Sequence, residues 1–181
     1  MQPICGIDEA GRGCIAGSLV VVGVVLNRAI DGLMDSKKLT ESKREKLYPL
    51  IIENSKYHIV SFSSEDIDKK GLSNCMKEAL KEIKEVFYGY HIIFDGNTSF
   101  GVENIKAIVK ADESVAEVSA SSILAKVTRD REIIKNSIIY PQYGFDRHKG
   151  YGTKAHIEAI KKYGYCPLHR KSYKIKSLEF S

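Results

Sequence analysis

The alternation of apolar and polar positions divides the chain into short strand-like runs and longer helical ones. Residues 3–9 and 17–26 are rich in β-branched side chains and predict two strands. The second, GSLVVVGVVL, is nearly all apolar, which predicts burial on both faces. From about Thr40, a suitable N-cap, Leu47, Leu50 and Ile51 share one face of a helix. Pro49 falls inside that pattern and, lacking an amide hydrogen, is expected to kink or shorten it. Residues 57–62 (YHIVSF) predict a third strand. A helix opening at Ser73 carries Met76, Leu80, Ile83 and Phe87 at helical spacing, and strands follow at 90–95 and 105–109. On these strands His58 and His91 are expected to pack. A long helix over about 113–136 sets Ala116, Ala120, Ile123 and Val127 along one face, and a last one runs from about Thr153 to Tyr163, stopping at Gly164. Strands first, then helices alternating with strands, predict an α/β fold with a mixed sheet flanked by helices.

Composition narrows the class. A chain of 181 residues, 43% hydrophobic and 28% charged, suits one domain over residues 1–181 with a real core. No apolar run approaches the ~20 residues that cross a bilayer, and MQPICGIDEA lacks the layout of a signal peptide. Cys5, Cys14, Cys75 and Cys166 form no zinc-type spacing and read as buried small hydrophobes in a reducing compartment. The expectation is a cytoplasmic protein without a membrane partner. The net charge of +5 is unevenly placed: from Arg147 to Lys176 nine Lys and Arg face Glu158 alone. This basic C-terminal segment, read as helical over about 147–176, suggests a polyanion partner.

Candidate chemistry gathers at element ends. In GIDEAGRG, Asp8 and Glu9 close an apolar strand and run into Gly11, Arg12 and Gly13. On a regular strand neighbouring side chains point to opposite faces, so these acids can serve one site only where the strand ends or bends, and the glycines supply that freedom. A dinucleotide-binding reading of Gly11, Gly13 and Gly17 requires a helix next, whereas a strand-like run follows. Asp95 ends the run Ile92-Ile93-Phe94, at a strand's C-terminal edge where open sheets place ligand groups. Asp112 lies between a strand and the long helix, where an N-cap role is the alternative. Four carboxylates at such ends can converge on divalent ions, magnesium or manganese by their oxygen ligands. Two such ions can activate water and stabilise the leaving oxygen of a phosphodiester.

GIDEAGRG, DSKKL (Asp35 to Leu39), FDGN (Phe94 to Asn97), KAD followed by SASSILAKVTRD (Ser119 to Asp130), and HKGYGTKAH (His148 to His156) occur in that order. Together they resemble bacterial ribonuclease HII over nearly the whole chain. The resemblance implies a ribonuclease H-like fold, a mixed five-stranded sheet with helices around it. It also implies a metal site of Asp8, Glu9, Asp95 and Asp112, with Asp130 left outside it as a structural residue. Gly11, Arg12 and Gly13 are then expected to read the ribose 2′-hydroxyl and adjoining phosphate, the 2′-hydroxyl being what separates RNA from DNA. Tyr151 packs on the sugar at the RNA–DNA junction, and Lys37 and Lys38 contact phosphates.

The implied activity is hydrolysis of the RNA strand of RNA–DNA hybrids, with nicking of duplex DNA on the 5′ side of embedded ribonucleotides. Two-metal-ion catalysis leaves 3′-hydroxyl and 5′-phosphate ends, and the protein acts as a monomer. Cys14 and Ser18 replace prolines usual in the family, Ser121 replaces a common alanine, and Pro49 is unusual. The tail Ser177-Leu178-Glu179-Phe180 lacks the glutamine usual in sliding-clamp peptides, which weighs against clamp docking. Two alternatives stay open: another nuclease or strand transferase on the same fold, and a non-catalytic hybrid-binding module.

Overall fold

The run Leu19–Leu26 forms strand β2, with seven of its eight residues buried, as its unbroken apolar character requires. In this computed structural model, which describes residues 3–33 and 39–175, β2 lies between β1 (Ile4–Ala10) and β3 (Ser55–Phe62), antiparallel to both. On the other side of β1, β4 (His91–Asp95) and β5 (Ile105–Ile108) are added in parallel. The sheet is therefore mixed and five-stranded, in the order β3-β2-β1-β4-β5.

Helices cover both faces. Helix α1 (Glu41–Glu53) and the long α4 (Ala116–Ser137) pack on Val20, Val22 and Val24, with Ile123, Leu124 and Ile51 between them. The opposite face, carrying Cys5, Ile7, Leu19 and Val21, is covered by α2 (Ser64–Lys70) and α3 (Leu72–Val86), whose Met76, Leu80 and Ile83 are fully buried. Gly6 is where α4 crosses β1: a Cβ there would stand 2.3 Å from the backbone of Glu117 and Val118. A third cluster joins Ala16 and Ile133 to Tyr143, Phe145, Ile160 and Cys166. Its elements are a 3-10 turn at Pro141–Tyr143, the short α5 (Phe145–His148) and α6 (Lys154–Tyr163). Among the described residues no helix is long and apolar enough to cross a membrane, and all four cysteines are free and buried.

Several expectations need correction. Pro49 neither breaks nor shortens α1, because it sits on the solvent side where water can take the carbonyl it leaves unbonded. Leu50 is 44% exposed, so the buried face of that helix belongs to Ile51 and, in part, Leu47. His91 is exposed, and His58 on the edge strand β3 meets Glu82 at 2.7 Å instead of packing inward. The long helix starts at Ala116, after a 3-10 turn over Ala111–Glu113, and its N-cap is Val115, so Asp112 does not cap it. Among the described residues of the basic C-terminal segment only α6 and the end of α5 are α-helical, and Arg170 is fully buried.

Candidate active site

The sheet register builds the centre of the site. Parallel pairing of β1 with β4 sets Ile7 beside Phe94, so the next step brings Asp8 level with Asp95. Side chains level on parallel strands point to the same face. For Asp8 this is the α4 face, where the Ser122 hydroxyl hydrogen-bonds it. Glu9 should point the other way, since β1 keeps its pairing with β2 through Ala10. The expected bend in β1 is therefore absent at these two residues. Instead β4 stops at Asp95, the edge of β1 beyond Ile7 is open, and one cleft of about 440 Å³ wraps that edge to reach Asp8, Glu9 and Asp95.

The carboxylates are crowded and poorly solvated. Asp8 is 7% exposed, and its carboxyl is held well above the usual range by burial, by the Glu9 charge and by Asp95, against the opposing Ser122 hydrogen bond. Burial also raises the Glu9 carboxyl, opposed by the Arg12 guanidinium at 3.5 Å. Glu9 Oε2 is buried without a hydrogen-bond partner. Asp95 Oδ1 accepts from the Ala111 amide at 3.3 Å, which ties the 3-10 turn to the end of β4. Asp112, next in that turn, is fully buried and does not line the cleft. Of the four expected ligands, the fold thus brings three into the cleft and sets the fourth in the turn that Asp95 anchors. Among the described residues no three acidic, histidine or cysteine side chains are already gathered closely enough to form a metal cage. An orphaned carboxylate oxygen beside two further carboxylates, all hard oxygen donors, nevertheless fits a divalent cation.

The expected substrate residues flank the carboxylates. Gly11, Arg12, Gly13 and Tyr151 all line the same cleft. The two glycines differ in kind. Gly11 has φ +95°, and a Cβ there would lie 2.2 Å from Arg129 Nε, so the fold itself demands glycine. Around Gly13 a Cβ would meet nothing within 4 Å, so its backbone is open to a ligand. Tyr151 is 44% exposed, with its hydroxyl hydrogen-bonded to Cys14. Lys37 and Lys38 lie outside the described residues, as does the tail from Ser177 to Phe180.

Two buried guanidiniums hold the Gly11–Ser18 loop. Arg129, 1% exposed, donates to the carbonyls of Ser18, Ala16 and Lys149, each at 2.9 Å. Arg170 donates to Gly17, Ser18 and, at 3.3 Å, Arg12, whose carbonyl also accepts from the Tyr173 hydroxyl at 3.0 Å. The Lys149–Thr153 turn docks on the same loop, since Gly150 O accepts from the amides of Ile15 and Ala16.

Sequence reasoning missed Arg44, Ser122 and Lys126, which also line the cleft. Ser122 and Lys126 are four residues apart on α4, a spacing that puts both on one helical face, and Asp130 continues it. Lys126 pairs with Asp130 at 2.9 Å and sits 5.6 Å from the Tyr151 ring centroid. Asp130 also lies 4.0 Å from Arg129 Nη1.

The family model described as ribonuclease HII matches residues 5–176. The ribonuclease HII of Sulfurovum sp. is 60% identical over 178 residues, covering 98% of this chain and 95% of the relative. That of Campylobacter jejuni is 53% identical over 173 residues, covering 95% and 91%. Among solved structures, RNase HII of Archaeoglobus fulgidus in its complex with PCNA aligns with a TM-score of 0.82 at 29% identity, covering 96% of each chain. Ribonuclease H2 of Pyrococcus horikoshii aligns with 0.74 at 30% identity, covering 94% and 93%.

Proposed function

The chain belongs to the ribonuclease HII family and is an RNase H hydrolase that cleaves the RNA strand of RNA–DNA hybrids; from that premise we propose that it also nicks duplex DNA on the 5′ side of an embedded ribonucleotide. The observation that carries this reading is the shared cleft. Carboxylates that can hold divalent ions, a glycine backbone open to a sugar, and an aromatic ring for the neighbouring sugar all face one space.

Asp8, Glu9 and Asp95 hold the divalent ions, magnesium or manganese, with Asp112 as the fourth carboxylate on the turn that Asp95 fixes. Bound there, the ions supply Lewis-acid stabilisation of the phosphodiester and activation of the attacking water. The protein's own residues do the rest. The open backbone at Gly13 and the Arg12 side chain meet the ribose 2′-hydroxyl and its phosphate, an arrangement in which the guanidinium is a charge-assisted donor. Tyr151 packs its ring on the deoxyribose that follows. Arg44 and Lys126 add positive charge along the cleft, where phosphates are held without reading bases. Lys37 and Lys38 extend that role in this proposal. The 2′-hydroxyl is a recognition handle and not the nucleophile, so the products carry 3′-hydroxyl and 5′-phosphate ends.

The test is cleavage of a duplex bearing one ribonucleotide, with magnesium, with manganese and with chelator. Metal-dependent nicking at the ribonucleotide is expected. Metal-independent binding with no cutting would leave a hybrid-binding module instead.

A further inference from the structure

Three histidines with no part in the cleavage chemistry surround the turn that presents Tyr151. His156 is fully buried and His169 is 2% exposed. Their hydrogen bonds admit one tautomer each. The Tyr151 carbonyl, 2.8 Å from His156 Nδ1, can only accept, so neutral His156 carries its proton on Nδ1 and accepts at Nε2. His169 Nε2, 3.0 Å away, must therefore donate. His169 Nδ1, which lies 2.9 Å from the Cys166 amide and 3.3 Å from the Cys166 carbonyl, then accepts from the amide. A directed chain thus runs from the Cys166 amide through two imidazoles to the backbone of Tyr151.

Packing holds this chain in place. His148 stacks on His156 with centroids 4.2 Å apart and planes 15° apart. Its Nδ1 accepts from the Gly150 amide at 3.2 Å, and its Nε2 donates to the Tyr143 carbonyl at 2.7 Å. Phe145 meets His156 edge-on at 5.4 Å, and Tyr143 meets His169 at 4.9 Å. Burial drives both rings toward the neutral state that the chain needs, and the Lys171 charge pushes His169 the same way. The Tyr151 carbonyl also accepts from the Thr153 amide at 2.8 Å, while its amide donates to His148 O.

We propose that His156 and His169 are positioning residues for Tyr151, setting its ring at the height needed for the deoxyribose beside an embedded ribonucleotide. This rests on the junction role proposed for Tyr151 and deepens it. The pair touches no substrate. Its effect is on the choice between substrates, because a long hybrid offers most cleavage positions without a junction. Displacement of a positioning group by about 1 Å can cost up to about a hundredfold in rate, and loss of one hydrogen bond here should cost about tenfold.

The experiment measures kcat/KM on a single-ribonucleotide duplex and on a long hybrid, and takes their ratio. His156→Phe removes the donor to Tyr151 and should lower the ratio about tenfold, while His156→Asn, whose amide replaces Nδ1–H, should restore most of it. In a Tyr151→Ala background, His156→Phe should lower the ratio no further. Equal losses on both substrates, or a further fall in that background, would show a merely structural role and overturn the proposal. If Tyr151→Ala alone leaves the ratio unchanged, the junction role itself is wrong and this inference falls with it, recognisably before any histidine variant is read. A second measurement does not depend on the variants folding. Nitrogen-15 spectra of the intact protein should show His156 protonated on Nδ1 and His169 on Nε2, and the reverse assignment overturns the proposal.

Discussion

Arg129 Nη1 donates to the carbonyl of Lys149 at 2.9 Å, and through that bond α4 ties the turn bearing Tyr151 to the loop bearing Gly11 and Gly13. The remaining guanidinium nitrogens hold Ala16 and Ser18 on the same loop. The two sides of the proposed sugar site are thereby one rigid body, joined by a cation that is 1% exposed.

Arg129→Met should accordingly leave the Ala16 and Lys149 carbonyls without their donor, while the Ser18 carbonyl keeps the one from Arg170. Each buried group left unsatisfied costs about 1–3 kcal/mol, so stability should fall by roughly 2 kcal/mol or more in urea unfolding. Arg129→Lys should recover only part, since an ammonium cannot match the planar fork. A loss below about 1 kcal/mol would mean that water replaces the guanidinium.

Asp8→Asn, Glu9→Gln, Asp95→Asn and Asp112→Asn should each reduce cleavage severely while the fold survives. Asp130→Asn should be much milder, because it weakens only pairs with Lys126 and, at 4.0 Å, Arg129, both outside the proposed ligand set. Cleavage by Asp95→Asn at the wild-type rate in saturating magnesium would contradict the site assignment.

Much of this was legible before any coordinates. The five strands stood out because β-branched runs are bounded by turns, and the carboxylates because they sit at the ends of those runs. Helix α2 escaped notice although Ser63 and Asp66 form a full capping box, Ser63 Oγ accepting from the Asp66 amide at 3.1 Å and Asp66 from the Ser63 amide at 2.9 Å. A seven-residue helix shows too little periodicity to register beside its cap. Arg44, Ser122 and Lys126 were missed because a cleft assembled from β1, α1, β4, α4 and two loops leaves no contiguous motif. Arg170 was counted with the basic surface, since charge alone does not reveal that three backbone carbonyls and a tyrosine would surround its guanidinium. Glu9 shows the opposite limit: strand alternation is obeyed, and it is the early end of β4 that lets both faces serve one cleft.

Charge crowding in the cleft predicts how metal acts on stability. The Asp8 carboxyl is raised by burial and by Glu9 and Asp95, so the stability it contributes at low pH is lost as pH rises through its folded value. At neutral pH without metal, Asp8→Asn should therefore melt higher than the wild type. Magnesium or manganese at about 100 times Kd should stabilise the wild type by about 2.7 kcal/mol, several degrees in Tm, and the variant by much less. Equal gains in calorimetry would place the ions elsewhere.

The histidine pair works in the other direction. Burial first of all pushes His156 and His169 down from 6.5 to about 4. Between those values the unfolded chain binds more protons than the folded one, so stability is full above the unfolded pKa and falls as pH drops from about 6.5 toward 4. His156→Asn should flatten that decline relative to the wild type, whereas replacing the exposed His91 should not. Parallel pH–Tm curves for all three proteins would contradict the neutral, buried pair.

The most direct test of the whole account uses matched duplexes that differ at one sugar. With one ribose inside duplex DNA and magnesium present, the nick should fall on its 5′ side and leave 3′-hydroxyl and 5′-phosphate ends. A 2′-deoxy sugar removes the hydroxyl and a 2′-methoxy sugar blocks its donated hydrogen bond, so either should abolish cutting. Equal cutting of the all-DNA duplex, or ends bearing a 2′,3′-cyclic phosphate, would contradict the assignment of Gly13, Arg12 and the carboxylates to a ribose-dependent hydrolysis.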